Sequence, residues 1–501
     1  MNLASRFAAS AQQHAEKTAL YWGDRTFTYS ELWSQTLFIA GVLRHQFRIK
    51  PGDRVGLWLK NCPEFIPSLF GILHLGAVAV PINNFLKPHE VGYILSDAGI
   101  DVLVSDSELA AAFDALKGAR PSLQMMNAET TLASFPVPPG HLKFDTDLLR
   151  NPNRSETDLA VLIYTSGTTG RPKGAMLSND NLLHNVESCR LCLQIVPEDR
   201  IGVLLPMFHS YMLTVGTFLP LFSGASIVLV KSLHPVRNVI QELYQRRVSI
   251  LPAIPQFYRS LVNADLPQPS PLRICISGSA PLPVQVLHEF EQKMGIPLIE
   301  GYGLSEASPV VAKNPLDRTR KPGSIGLPIP NVEMSVQDDS GRTLGPRQVG
   351  EICVRGGNVM LGYWNQPDET EKAFRNGWLL TGDIGYFDEE GYYYITDRKK
   401  DMLLVNGNNV YPREIEDVIY QFPNVKEAAV IGRPDPRRGE QPVAFVVPLE
   451  GTSIDPEALL SFVRTRLADY KVPRKVVLSP GLPRNATGKV LKTVLREQPI
   501  P

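Results

Sequence analysis

With 501 residues the chain is too long for one hydrophobic core, and two to four domains are expected. Lys and Arg together number 51, as do Asp and Glu, so no global field favours nucleic acid or an anionic membrane. Any anion must be held by a local site. An apolar share of 43% with 20% charged residues describes a globular protein rather than a disordered or fibrous one.

Met1 to Thr18 lacks a long apolar core and carries Arg6, His14, Glu16 and Lys17, so no secretory signal is expected there. Thr28-Tyr-Ser-Glu31 opens a capped helix running to about Leu43. Pro51 to Arg54 is a turn, Val55 to Leu59 a strand, and a helix from Cys62 leads to a strand over Ala77 to Ile82. This alternation continues to about Val104 and argues for a parallel sheet covered by helices. Two uncharged runs, Phe65 to Ile82 and Ile201 to Val230, are broken by Pro67 and Gly71 and by Pro206 and Gly224. They read as core segments, not membrane spans. Phe135 to Gly140 is a proline-rich loop.

A second alternating block runs from about 159 to 312, with strands near 159–163, 226–230, 249–252 and 273–277. It opens on an apolar strand, Leu159 to Ile163, followed by Tyr164-Thr-Ser-Gly-Thr-Thr-Gly-Arg-Pro-Lys-Gly174 and a helix capped by Ser178. Strand, small-residue loop and helix together suit a phosphate cradle, since glycines admit close backbone N–H groups and Lys173 adds charge. The Walker-type spacing is absent, because the residue five after Gly167 is Pro172. Cys189-x-x-Cys192 falls inside the helix without a second pair nearby. It reads as two small apolar side chains, and the five cysteines overall suit a reducing, cytoplasmic setting.

From Gly323 short alternating runs such as Glu351 to Arg355 indicate a small β-rich subdomain ending near Tyr394. After Asp397 a third unit begins: Pro412 in a first helical turn, strands over Val425 to Ile431 and Val443 to Val447, and a helix from Asp455 to Leu467. The expected division is 1–397 and 398–501. The fold class is α/β: two parallel-sheet subdomains and a small β-rich subdomain, followed by a mobile α/β lid.

Seven further motifs follow the 164–174 loop. They are Pro206-Met-Phe-His209, Gly278-Ser-Ala-Pro-Leu282, Gly301-Tyr-Gly-Leu-Ser-Glu306, Thr381-Gly-Asp383, Asp397-Arg398-Lys-Lys400, Asn406-Gly407-Asn-Asn-Val-Tyr411-Pro-Arg-Glu414 and Pro483-Arg-Asn-Ala-Thr-Gly488-Lys489. In this order, over nearly the whole chain, they resemble the signature of the adenylate-forming enzymes, the superfamily of acyl-CoA synthetases, luciferases and peptide-synthetase adenylation domains. Within it the pattern is nearest to fatty acyl-CoA synthetases.

The resemblance implies a role for each motif. Lys489 would reach both the acid's carboxylate and the α-phosphate of ATP, and Glu306 would hold Mg²⁺. Thr165, Ser166, Gly167, Thr168, Thr169, Gly170 and Lys173 would bind phosphate. Gly278, Ser279, Ala280, Gly301, Tyr302, Gly303 and Ser305 would hold the nucleotide, with the Tyr302 face on adenine; Ser305 stands where threonine is usual. Asp383 and Arg398 would meet the ribose, or for Arg398 a phosphate. His209 would lie beside the carboxylate, with Tyr211 to Leu221 and Ala307 to Val311 lining the acyl pocket. Lys400 would be the hinge of the lid and Gly407 would line the pantetheine channel. Apart from the resemblance, Arg433, Arg437 and Arg438 form a local basic cluster that suits either CoA phosphates or a solvated face.

Such an enzyme joins a fatty acid, medium to long chain, first to ATP and then to CoA. Both partners of the first step are anions, so charge neutralisation and alignment carry it. Delivery to a carrier protein, aryl-acid activation, a luciferase-like oxygenase and a nucleotide-binding module remain as alternatives. Homodimer formation and peripheral membrane contact stay open. Each residue also has a plain reading: alone, Lys489 and Arg398 are solvated charges, Glu306 and Asp383 turn residues, and His209 a core histidine.

Overall fold

The structure is a computed structural model that describes residues 2–135, 155–165, 171–233, 235–264, 269–406, 408–435, 439–485 and 488–499. Two large sheets form its body. The seven-stranded one runs Gly362–Tyr363, Lys173–Ser178, Leu159–Thr165, Val78–Pro81, Arg54–Trp58, Val102–Ser105, Gln124–Asn127. The nine-stranded one runs Leu327–Pro328, Val310–Lys313, Leu298–Gly303, Ile274–Ser277, Ile250–Ala253, Arg200–Val203, Ser226–Leu229, Thr18–Trp22, Arg25–Thr28.

Val78–Pro81, Val102–Ser105 and Ile274–Ser277 have parallel neighbours and are buried at every residue. Continuous apolar runs of this kind are what a sheet covered on both faces requires. The helix Phe65–His74 is likewise buried throughout. Among the described residues no helix is long and apolar enough to cross a membrane. The predicted capping box is present: the Thr28 side chain accepts from Glu31 N, and Glu31 accepts from Thr28 N.

Three expectations need correction. The stretch after the phosphate loop is not immediately helical. Lys173–Ser178 is a strand antiparallel to Leu159–Thr165, and the helix Asn179–Leu193, capped by Ser178 as expected, starts after it. The polar and glycine residues 170–174 hid this strand, although Ala175 and Leu177 alternate into the core. Second, the two alternating blocks exchange strands: Thr18–Trp22 joins Ser226–Leu229, and Leu159–Thr165 joins Val78–Pro81. Third, the helix expected from Cys62 begins at Phe65.

The β-rich part is a five-stranded sheet whose last strand, Tyr393–Arg398, pairs with Trp378–Phe387. Beyond the turn at 399–401 a separate five-stranded sheet and its helices enclose their own core, from Leu403 to Val476.

One buried ion pair ties the strand starts of the nine-stranded sheet together. Asp199 is 3% exposed and accepts from Arg273 Nη2 at 2.6 Å, Arg273 Nε at 2.8 Å and the Ser249 hydroxyl at 2.8 Å. Arg273 also donates to the Gln194 carbonyl at 3.0 Å. Arg273→Ala is expected to cost about 3 kcal/mol in denaturant unfolding, because it strands a buried carboxylate. Adding Asp199→Asn should recover part of that loss; a double variant no better than the single one would refute the charge argument.

Candidate active site

A cavity of about 920 Å³ opens beyond the carboxyl ends of Ile274–Ser277 and Leu298–Gly303, where ligands of open α/β sheets sit. The first strand delivers Gly278 and Ser279 to its wall, the second Gly301, Tyr302 and Gly303, and the short 3₁₀ turn after it Ser305 and Glu306. Ala280, expected beside them, does not line the wall. Gly303 has a steric reason: a Cβ there would lie 2.0 Å from the Pro309 carbonyl oxygen. That carbonyl accepts from Leu304 N, closing the turn that presents Glu306.

Glu306 accepts from the Tyr363 hydroxyl at 3.0 Å and from the Thr165 hydroxyl at 3.4 Å, and all three face the cavity. Ser305 shares a hydrogen bond of 2.9 Å with Ser210. Lys173 does not reach the wall. Its Nζ is ion-paired with Glu369 and stands 5.2 Å from the centre of the Tyr363 ring, so its charge is spent next to the Glu306 partner rather than on the cavity.

Asp383 is also differently used than expected. It lies directly opposite Arg398 across the sheet and accepts from Arg398 Nε at 2.9 Å and from the Tyr302 hydroxyl at 2.6 Å. Its carboxylate therefore orients Tyr302 and Arg398, which do line the cavity, while Asp383 itself does not. Thr381, two residues earlier, does.

The C-terminal unit contributes Arg484, Asn485 and Lys489 to the same cavity. A tight turn holds Lys489: Lys489 N donates to Asn485 Oδ1 at 2.9 Å and Asn485 N to the Lys489 carbonyl at 2.9 Å. Gly488 packs on the large unit, where a Cβ would come within 2.6 Å of Ile254 Cδ1. Burial, with the Arg398 charge beside it, lowers the Lys489 amine to about 8.

His209 is on the wall as expected. Burial pushes its pKa down to about 4, so it is neutral near pH 7. Its Nδ1 accepts from Tyr211 N at 3.2 Å, which leaves the proton on Nε2 as a donor. Of the expected acyl-pocket segments, Tyr211, Val215, Pro309 and Val310 line the cavity. Tyr211 and Val215 flank or lie within a π-helical stretch, Met212–Phe218.

Other expectations fare differently. Ser166, Gly167, Thr168, Thr169, Gly170, Gly407, Arg437 and Arg438 lie outside the described residues. Arg433 Nη2 donates to the carbonyls of Leu495 and Gln498, fastening the last helix. Lys400 is exposed in the turn between Arg398 and Leu403.

The family model described as AMP-binding enzyme matches residues 7–364, and the AMP-binding enzyme C-terminal domain matches 414–489. The chain belongs to the AMP-binding enzyme family. It is similar to a long-chain-fatty-acid–CoA ligase of Bacillus subtilis, 36% identical over 99% of this chain and 94% of that one. It is equally similar to a feruloyl-CoA synthase of Amycolatopsis, 36% identical over 97% of each chain. Among solved structures, the o-succinylbenzoate coenzyme A synthetase of Bacillus subtilis in complex with ATP and magnesium ion superposes with a TM-score of 0.86, at 30% identity, covering 98% of this chain and 99% of that one.

In this AMP-binding enzyme, several supporting residues carry no motif. Asn185, fully buried on the helix Asn179–Leu193, donates to the Val310 carbonyl at 2.7 Å and accepts from Val310 N at 3.2 Å. Asn358 donates to the Ala307 carbonyl at 2.9 Å and the Thr214 hydroxyl to the Ser308 carbonyl at 2.9 Å. Together they clamp the segment after Glu306. An asparagine on the core face of a helix was the available signal, since burial demands that such an amide be paired.

Gly303→Ala tests the turn: AMP affinity measured by calorimetry should fall more than about tenfold, or 1.4 kcal/mol. Gly345→Ala, where a Cβ meets nothing within 4 Å, should leave it unchanged. Equal affinities in both variants would show that the turn does not govern the nucleotide site.

Proposed function

We propose that this AMP-forming CoA ligase activates a fatty acid of medium to long chain in the cytoplasm, using ATP, Mg²⁺ and CoA. A carboxylate oxygen of the acid attacks the α-phosphorus of ATP. The bond from that phosphorus to the β-bridging oxygen breaks, and pyrophosphate leaves. The CoA thiol, losing its proton, then attacks the acyl carbon, and AMP departs with the electrons of the acyl C–O bond.

The observation that carries this reading is that Lys489 and Glu306 face one cavity from different units. Its remaining wall is largely apolar, from Ile163, Leu193, Val215, Ile276 and Val310. Lys489 and Arg398 neutralise the approaching anions, His209 on the wall offers an Nε2–H donor for the acid, and Tyr302 offers its face to adenine. Glu306 with the Thr165 hydroxyl forms a hard oxygen set suited to Mg²⁺, which takes one or two carboxylates plus phosphates and would balance phosphate charge there. The feruloyl-CoA synthase relative supports a second reading, an aryl acid, and the rings of Phe208 and Tyr211 on the wall would accept one. Pyrophosphate release across acids from acetate to oleate and coumarate, with and without CoA, separates the two. CoA-dependent turnover peaking on C8 to C18 acids is expected, and release with no acid would overturn the proposal.

The cationic form of Lys489 is the competent one, and its amine sits near 8. Charge is lost as pH rises through that value, so kcat/KM for pyrophosphate release should decline above pH 8. Lys489→Arg keeps its charge, so its lower rate should show no such limb. A limb unchanged in the arginine variant would assign it to another group. His209 should add no limb above pH 5, being neutral there already.

The lid must withdraw Lys489 before the thiol can enter, with Lys400 as the pivot in its exposed turn. Lys400→Pro is expected to retain adenylate formation within about threefold and to lower thioester formation at least a hundredfold, because fixing φ stops the rotation. Equal loss in both half-reactions would rule out this pivot.

A further inference from the structure

Lys313 ends the strand Val310–Lys313, with its Cα paired to Gly301, and has no part in the steps above. It is only 8% exposed, yet it lines the same cavity as Glu306, in company with Cys192, Leu193 and Val310. Its Nζ donates to the carbonyl of its own neighbour, Asn314, at 3.2 Å. Among the described residues no carboxylate is ion-paired with it, and Asp317, whose charge bears on it, is exposed. An ammonium carries three donors, and one bond to an adjacent carbonyl leaves two without a protein acceptor. Burial pushes this amine's pKa down, which is the same penalty expressed as a titration. A side chain serving packing alone would fill this volume as methionine without that cost.

We propose that Lys313 is a specificity-determining residue that receives an oxygen acceptor on the end of the acid remote from the activated carboxylate. The preferred acids then carry a second carboxylate, a hydroxyl or a phenol at that end, ahead of methyl-ended chains of the same length. This rests on the CoA-ligase reading and refines its substrate. The polarity of the pocket follows from the fold. The Asn185 and Asn358 amides fix the 307–310 segment, so the strand that follows has one register, and Lys313 faces the cavity while Ala312 is fully buried in the core. Selection of this kind is strong, because a site built to pair a substrate hydroxyl leaves its own donor unpaired when the analogue lacks it.

The test measures kcat/KM for CoA-dependent thioester formation on matched acids: octanoate, 8-hydroxyoctanoate and octanedioate, and cinnamate against 4-hydroxycinnamate. The wild-type enzyme should favour at least one oxygenated member over its methyl- or hydrogen-ended counterpart by about tenfold or more. Which member gains most distinguishes an anionic from a neutral partner. Lys313→Met should erase that preference and raise turnover of octanoate, while Lys313→Arg should keep part of it. Thermal melting with each acid present gives a second readout: oxygenated acids should raise the wild-type midpoint more than octanoate does, and Lys313→Met should remove the difference. Preference for octanoate in the wild type, or ratios unmoved by Lys313→Met, overturns the proposal. Turnover of none of these acids overturns the ligase reading instead.

Discussion

The arrangement of the site depends on one buried contact, the Asp383 carboxylate held between Arg398 and Tyr302. It joins three strands from two different sheets: Tyr302 on the nine-stranded sheet, Asp383 and Arg398 on neighbouring strands of the β-rich one. The geometry settles which charges remain for the ligand. Asp383 is consumed internally, so Arg398 is placed beside Lys489 already paired with a carboxylate. Burial lowers the Lys489 amine first, and repulsion from the Arg398 charge beside it in a partly dry cleft adds to that. A polyanionic ligand relieves the repulsion. Cations fixed in place before the anion arrives are the preorganisation that charge-neutralising catalysis needs.

The residues around Glu306 keep its carboxylate from collapsing onto the nearby cations, as the proposed Mg²⁺ role would require. Lys173 is engaged by Glu369, and only the ring of Tyr363 lies between that pair and the Glu306 carboxylate. A lysine free to swing would instead compete with a metal for the same oxygens. Its fixation is a consequence of the strand pairing: Lys173 pairs with Thr165 across the two strands, which sends its side chain to the 363–369 segment.

Much of this was legible in the sequence because the relevant signals are local. Capping at Thr28 and Ser178, apolar runs of strand length and the ordered motifs each need only a few neighbouring residues. Strand exchange between the two blocks was not legible, since pairing Thr18–Trp22 with Ser226–Leu229 is a long-range choice made by packing. Charge partners were hidden for the same reason. Nothing local to Lys173, Asp383 or Arg433 tells that Glu369, Arg398 and the last helix will occupy them. Lys313 was missed because a lysine two residues after a valine pair reads as a surface edge.

The C-terminal unit is stiff inside and lightly held outside, which is the condition for rotation as one body. Its ion pairs Lys492–Glu416, Arg496–Asp401, Arg484–Glu427 and Lys471–Glu414 all fall within residues 401–496. Its apolar core draws on none of the large unit. Against that, the contact near the cavity includes Gly488 against Ile254 and the Gln256 amide oxygen, which accepts from Arg484 Nη1 at 2.7 Å and Nη2 at 3.1 Å. Near the turn, Arg413 N donates to Asp397 at 2.9 Å. A few polar contacts that water can replace cost little to break, about 1 kcal/mol each, whereas tearing the small core would cost far more. The rotation proposed above would thus be taken up by the 399–401 turn. The repulsion between Lys489 and Arg398 would add to the same bias, since in the proposed reaction part of the negative charge that holds the lysine would leave with pyrophosphate.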